Sequence, residues 1–151
     1  MEIVVTDDFL FIVNDIARKM RTQIDQRART RRMTRAQWVI LVRLEQQPGM
    51  SQTEMATRIE VEPITVARLI DRLEARGLIE RRPDSRDRRI WRLQLTPAAS
   101  PVLREIKEEL RDFHEKMTAG IDPMALKMIG DSLHQMKANL GLHIRWGGKA
   151  R

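Results

Sequence analysis

Residues 51–96, SQTEMATRIEVEPITVARLIDRLEARGLIERRPDSRDRRIWRLQLT, decide the fold. They read as two short helices, a hairpin with an arginine-rich tip, and a new helix opening at Pro97. The Ser51 hydroxyl can accept an otherwise unpaired amide hydrogen of the first turn, and Glu54 stands at the reciprocal capping position. Met55, Ala56 and Ile59 give this helix one apolar face. The polar break at Glu60-Val61-Glu62 ends it, and Pro63 starts the next helix where a missing N–H costs nothing. There Val66, Leu69, Ile70 and Leu73 recur at helical spacing, while Thr65, Arg68, Arg72 and Arg76 line another face. Gly77 supplies the stop. Together these are a helix-turn-helix signal, in which the first helix braces and the second offers its N-terminal turns to a groove.

Residues 78–82 are short and strand-like. In the returning strand Trp91, Leu93 and Leu95 alternate with Arg92 and Gln94. Between the strands lies a turn-forming loop, residues 83–89, too charged to bury. Residues 78–96 hold six Arg against Glu80, Asp84 and Asp87. A hairpin after a recognition helix is a wing, and its arginines suit the narrow, electronegative minor groove. The bland alternative is a solvated hairpin whose charges serve only solubility.

The run LIDRLEARGLIERRPDSRDRRIWRLQLTPAA resembles the recognition helix, wing and following helix of the MarR family, especially its SlyA-like branch. The resemblance rests on the stretch from Asp71 to Arg82, on Asp87-Arg88-Arg89 and on Leu95-Thr96. Upstream, Trp38 and Ser51-Gln52 with Glu54-Met55-Ala56 also match. It implies a transcriptional regulator, mainly α with a small β-hairpin: a winged helix-turn-helix carrying N- and C-terminal dimerisation helices. In such relatives the Asp87–Arg89 pair would hold the wing while an arginine enters the minor groove.

Composition agrees with a polyanionic partner. At 151 residues the chain fits one domain, residues 1–151, and its formal net charge is +7. Double-stranded DNA is the leading partner, with an anionic membrane surface as the alternative. No apolar run reaches the roughly 18 to 20 residues of a spanning helix. Residues 1–5 lack the basic start and small-residue cleavage site of a signal peptide. The expectation is therefore a soluble, cytoplasmic protein that does not engage membranes. With no cysteine, disulfides, thiol catalysis and Cys-ligated zinc are excluded. The nine methionines fit core and interface gaps.

The flanks point to a homodimer. Residues 6–32 form a long helix whose stripe is Leu10, Val13, Ala17, Met20 and Ile24. From Arg18 to Arg35 there are eight basic residues against the single carboxylate Asp25. For most of them the reading is a charged, solvated helix end, with a share facing DNA phosphates or acidic ligands. Thr34 caps a second helix ending near Gln47. After Thr96 come two more amphipathic helices, the first with Val102, Leu103, Ile106, Leu110, Phe113 and Met117 inward. The second carries Met124, Met128, Ile129, Leu133, Met136 and Leu140, and Ile144 and Trp146 of the tail suit packing on a partner. Residues 34–96 thus form a DNA-binding lobe. Residues 6–32 and 97–146 are left with apolar stripes that two chains can cover by interleaving them about a two-fold axis.

Enzymatic motifs are lacking. His114, His134 and His143 are scattered and surround no nucleophile; they read as helix-surface residues rather than metal ligands. There is no phosphate-binding Gly-rich loop and no GxSxG, so neither catalysis, metal nor cofactor is expected. DNA readout is better supplied. Pro63, Ile64, Thr65 and Arg68 occupy the first turns of the recognition helix. Arg68 suits a bidentate contact to guanine, and Thr65 or Ile64 a thymine methyl. For Ile64 the alternative is packing on the preceding helix. Arg72 is better placed for phosphate. In the wing Arg86, Arg88 and Arg89 are the tip candidates, with Asp87 as their brace. The resemblance further implies a small aromatic carboxylate effector, with Arg18 as its charge partner and Trp38 as an aromatic wall, although Ala36 and Val42 stand where such pockets can be polar. Trp38 as plain core is the alternative. The resulting reading is a dimeric regulator, usually a repressor blocking polymerase, on a pseudo-palindromic operator. The rivals are a nonspecific architectural DNA-binding protein, a counter-silencing activator, and a protein-docking winged helix.

Overall fold

A computed structural model describes residues 7–143, with side chains from 8 to 141. The element order is α1 (Asp7–Thr30), α2 (Arg35–Gln46), α3 (Gln52–Ile59), α4 (Pro63–Ala75), β1 (Ile79–Pro83), β2 (Trp91–Leu95), α5 (Ala99–Met117) and α6 (Pro123–His143). The expectations for residues 1–6 and for Ile144 and Trp146 lie outside the described residues. The described residues form two compact units, divided after Leu110.

Local chemistry sets the helix ends. The Ser51 and Thr34 capping boxes both close. Glu54 N–H donates to Ser51 Oγ at 3.1 Å while Ser51 N–H donates to Glu54 Oε2 at 2.7 Å. Thr34 and Gln37 exchange the same pair of bonds at α2. At the other ends, α1, α3 and α4 stop in one motif: a left-handed residue follows the helix and two amides fold back onto orphan carbonyls. At α4 the left-handed residue is Gly77, and Leu78 N–H donates to the Leu73 carbonyl at 3.0 Å. At α1 it is Arg32, with φ 55° and Met33 N–H donating to the Ala28 carbonyl at 3.0 Å. An arginine there costs roughly 1–2 kcal/mol more than a glycine would. Burial of Met33 and Ala28 beneath the turn helps to offset it.

The core of the first unit is wider than residues 34–96. Trp38, Ile40, Leu41 and Leu44 of α2 meet Met55 and Ala56 of α3 and Val66, Leu69, Ile70 and Leu73 of α4. Leu78, Ile79 and Leu93 close it from the hairpin. Ala28 and Met33 join from the α1 side, and Ala99, Leu103 and Ile106 from α5. Ion pairs fasten the same flanks: Arg27 to Glu109 at 2.7 Å, Arg31 to Glu105 at 2.6 Å and Lys107 to Glu45 at 2.6 Å. Part of the basic run of α1 is therefore neutralised by α5 rather than simply solvated.

The hairpin is antiparallel, with Ile79 opposite Leu95 and Pro83 opposite Trp91. Leu93 is buried, but Trp91, at the same parity along the strand, is 51% exposed. Two residues further along a strand is roughly 7 Å, enough to carry the indole beyond the core. Residues Met50 and Ser51 run beside β2, and Leu93 N–H donates to the Met50 carbonyl at 2.8 Å. Gly49 makes this approach at φ 82°; an added Cβ would stand 3.3 Å from Gln94 Nε2. In the second unit, Asp122 caps α6 by accepting the Met124 and Ala125 amides at 2.8 and 3.2 Å.

Candidate nucleic-acid interface

Helix α4 divides cleanly into two faces. Val66, Leu69, Ile70 and Leu73 are buried, whereas Pro63, Ile64, Thr65, Arg68 and Arg72 are all exposed. Ile64 is 66% exposed, so packing against α3 does not account for it. The helix itself is held by a clasp that residue spacing did not disclose. Arg81 of β1 donates to Asp71 Oδ1 at 2.5 Å, to Glu74, and to Gln52 Oε1 at 3.5 Å. One guanidinium thus ties the hairpin to both helices of the helix-turn-helix, and Asp71 spends its charge on structure.

The wing is braced at two levels. At its base, Arg92 Nε donates to Asp84 Oδ2 at 2.8 Å and Arg92 Nη1 to Glu54 Oε2 at 3.1 Å. Asp84 Oδ1 accepts the amides of Arg86 and Asp87 at 2.7 and 3.0 Å, which shapes the turn. The Arg92 guanidinium beside Asp84, aided by those two amides, pulls its carboxyl down to about 2. Asp84 in turn raises the Arg92 pKa. Nearer the tip, Arg89 grips Asp87 with two side-chain bonds at 3.0 and 3.1 Å, and Asp87 also accepts the Arg89 amide at 3.1 Å. The same bonds lower the Asp87 pKa and raise that of Arg89. Arg86 and Arg88 are exposed and have no carboxylate within ion-pair distance among the described residues. The sequence pattern singled out Asp87 and Arg89; the Asp84–Arg92–Glu54 base was missed. Only its eight-residue span across a turn, closing on the cap of α3, hinted at it.

A cavity of about 570 Å³ is lined chiefly by α1 and α2, with Met20, Ile24, Trp38, Val42 and Leu110 in its wall and Arg21, Arg35 and Arg43 as its cations. Trp38 is only 2% exposed, and its Nε1 is buried without a hydrogen-bond partner. Arg18 does not line this cavity; its guanidinium pairs with Asp15 at 2.9 Å on the exposed side of α1, lowering the Asp15 pKa. Arg35 is held by Asp25 at 3.1 Å. Val42 contributes an apolar wall where a polar one was conceivable, and Ala36 is not part of the lining.

A brace helix, an exposed second helix and a basic hairpin locked to both define a winged helix-turn-helix protein. The MarR family model matches residues 33–91. Among solved structures the chain is similar to the transcriptional regulator SlyA, at 30% identity over 89% of this chain and 94% of that one, with a TM-score of 0.78. It is also similar to the transcriptional regulator BldR from Sulfolobus solfataricus, at 26% identity over 92% and 99% of the two chains, TM-score 0.77. A MarR regulator from Methanosarcina mazei shares the fold at TM-score 0.81 and 24% identity, covering 92% of this chain and 99% of that one. The chain belongs to the MarR family, whose members are DNA-binding transcriptional regulators rather than enzymes. Among the described residues, no helix is long and apolar enough to cross a membrane.

Proposed function

We propose that this regulator acts as a homodimer that reads a pseudo-palindromic duplex operator and, by occupying it, represses transcription in the cytoplasm. The observation that carries the reading is the exposed N-terminal face of α4, with Ile64, Thr65 and Arg68 unburied beside a braced basic wing. Ile64 and Thr65 meet thymine methyls, Arg68 forks onto guanine, and Arg72 takes a phosphate. Asp87 holds the wing loop through Arg89, and Arg86 and Arg88 are the unpaired cations available to the minor groove. The exposed apolar stripes of the N-terminal half of α1 and of α6 are the surfaces a second copy would cover. Two such lobes read half-sites about one helical turn apart.

Selection from a random duplex library at about 0.15 M salt tests this directly, because weak phosphate-driven binding is suppressed there. Enrichment of an inverted repeat is the expected result. Binding that enriches nothing and falls steeply with salt would replace this reading with a nonspecific architectural one.

A small aromatic carboxylate is the proposed effector. The cavity's apolar wall and its three cations supply what such a ligand needs. Arg21 and Arg43 are better placed for the carboxylate than Arg18. Calorimetry with a panel of aromatic acids should register binding that weakens in Arg21→Gln/Arg43→Gln, a change that keeps the aromatic wall and deletes two of the cations. Absence of heat with every acid in the panel would end the effector reading.

A further inference from the structure

Two sets of arginines in and around the lobe differ in their partners. Arg27, Arg31, Arg35, Arg81 and Arg92 each meet a carboxylate and act as fasteners. Arg29, Arg32, Arg72 and Arg76 line one depression of about 510 Å³, together with Met33, Thr34, Gln37 and Ala75. No carboxylate is part of that lining, and none of the four makes an ion pair among the described residues. Four like charges around one concavity repel each other, and among the described residues no carboxylate pairs with any of them. The opposite arrangement was available, since the neighbouring Arg27 and Arg31 are both neutralised by α5.

The depression is also held in shape. Arg76 Nη1 donates to the Arg32 carbonyl at 3.1 Å, joining the end of α4 to the end of α1. Arg32 itself occupies the left-handed position, φ 55°, that glycine fills at the end of α4. Helix α2 begins on the same depression at Thr34, so the positive end of its dipole adds to the field.

Geometry identifies the ligand. Thr65, Arg68, Arg72 and Arg76 recur at steps of four and three, so the stripe that offers side chains to bases continues unbroken to the depression. At about 1.5 Å per residue, Arg72 and Arg76 lie roughly 10 and 16 Å along the axis from Thr65. The major groove is about 12 Å wide. With Thr65 among the bases, the depression comes to the rim of the groove, where the phosphodiester backbone runs. We infer that Arg29, Arg32, Arg72 and Arg76 form a seat for a DNA backbone phosphate flanking the half-site, adding affinity and register without reading sequence. The inference rests on the DNA-binding reading of α4.

The test compares Arg29→Gln/Arg32→Gln with an equal loss of charge elsewhere, Arg104→Gln/Arg111→Gln on exposed positions of α5. Binding of each full-length protein to its selected operator and to an unrelated duplex is measured from about 0.05 to 0.2 M salt. The seat predicts that Arg29→Gln/Arg32→Gln weakens both duplexes by a similar factor, about tenfold, and lowers the slope of log K against log salt by about two. The α5 pair should leave the slope unchanged, and Arg29→Lys/Arg32→Lys should restore most of it. Thermal melts of all variants confirm folding. A parental slope equal to that of Arg29→Gln/Arg32→Gln overturns the seat while leaving the regulator intact. So does a loss confined to the operator, which would make these arginines sequence readers. Failure of the parent protein to bind any duplex would instead remove the DNA-binding reading itself.

Discussion

Helices α2 and α6 are similar in sequence grammar and opposite in fate. Both carry aliphatic residues at steps of three and four. In α2 the stripe of Trp38, Leu41 and Leu44 is sealed by α3, α4 and the hairpin. In α6, Met124, Met128, Ile129, Leu133, Met136 and Leu140 all stand in solvent, between 38% and 67% exposed. The N-terminal half of α1 repeats the pattern of α6, with Leu10, Phe11 and Ile12 more than half exposed. Periodicity therefore tells which face of a helix is apolar, and the number of neighbours in the same chain decides whether that face is covered. The lobe has enough neighbours; within their own units, α6 and the start of α1 do not. An apolar surface of this extent marks an interface.

The largest effect should come from the open side of that contrast. Met128→Glu with Leu133→Glu would place two unpaired charges on the surface proposed for a second copy, a penalty of several kcal/mol or more if that copy packs there. Sedimentation should show a dimer for the parent and a monomer for this variant at micromolar concentration. A variant that stays dimeric would mean that α6 is not covered by its twin. Next comes the closed side. Ile70→Ala empties a fully buried site in the lobe and should cost about 2–5 kcal/mol in urea unfolding. That loss should leave the dimer equilibrium alone, unlike the α6 change. A comparable shift in both observables would erase the distinction between the two regions.

Arg68→Ala sharpens the contrast from the DNA side. It removes an exposed side chain that fastens nothing, so the melting curve should hold while operator affinity falls by about 1–3 kcal/mol. Smaller again is Ser51→Ala, which breaks one capping box and should cost about 1 kcal/mol of lobe stability by urea titration.

What could be read in advance was what is local. Capping boxes, the proline start of α4 and the Gly77 stop depend on residues within four positions, and each stands where the pattern put it. The faces of α4 were equally legible. Partners distant in sequence were not. Arg27 and Arg31 find their carboxylates some eighty residues away on α5, and no spacing rule distinguishes them from Arg29 and Arg32. Arg81 looked like one more wing cation, yet it binds Asp71, Glu74 and Gln52. Trp91 obeys strand alternation and still emerges into water, because alternation cannot say where the lobe beneath a hairpin ends. Arg18, which the resemblance links to the effector, pairs with Asp15 one helical turn away and is not in the cavity lining, a placement that resemblance does not convey.

The wing base belongs to neither side of the contrast, and acid is the way to separate its charge from its shape. Asp84 titrates near 3.8 in an unfolded chain and at about 2 in the folded one, because Arg92 and two loop amides favour the carboxylate. A lowered folded value means that its contribution is complete above pH 3.8 and disappears as the pH falls through about 2. Asp84→Asn keeps an oxygen to accept the Arg86 and Asp87 amides but loses the charged bond to Arg92. The melting temperatures of parent and variant should therefore differ by a small, constant amount near neutral pH, converge below pH 4 and meet near pH 2. A difference that persists at pH 2 would show that the turn's shape, not the ion pair, secures the wing. In that case Arg92→Ala should leave operator affinity intact, whereas an electrostatic base predicts that it weakens binding without touching Arg86, Arg88 or Arg89.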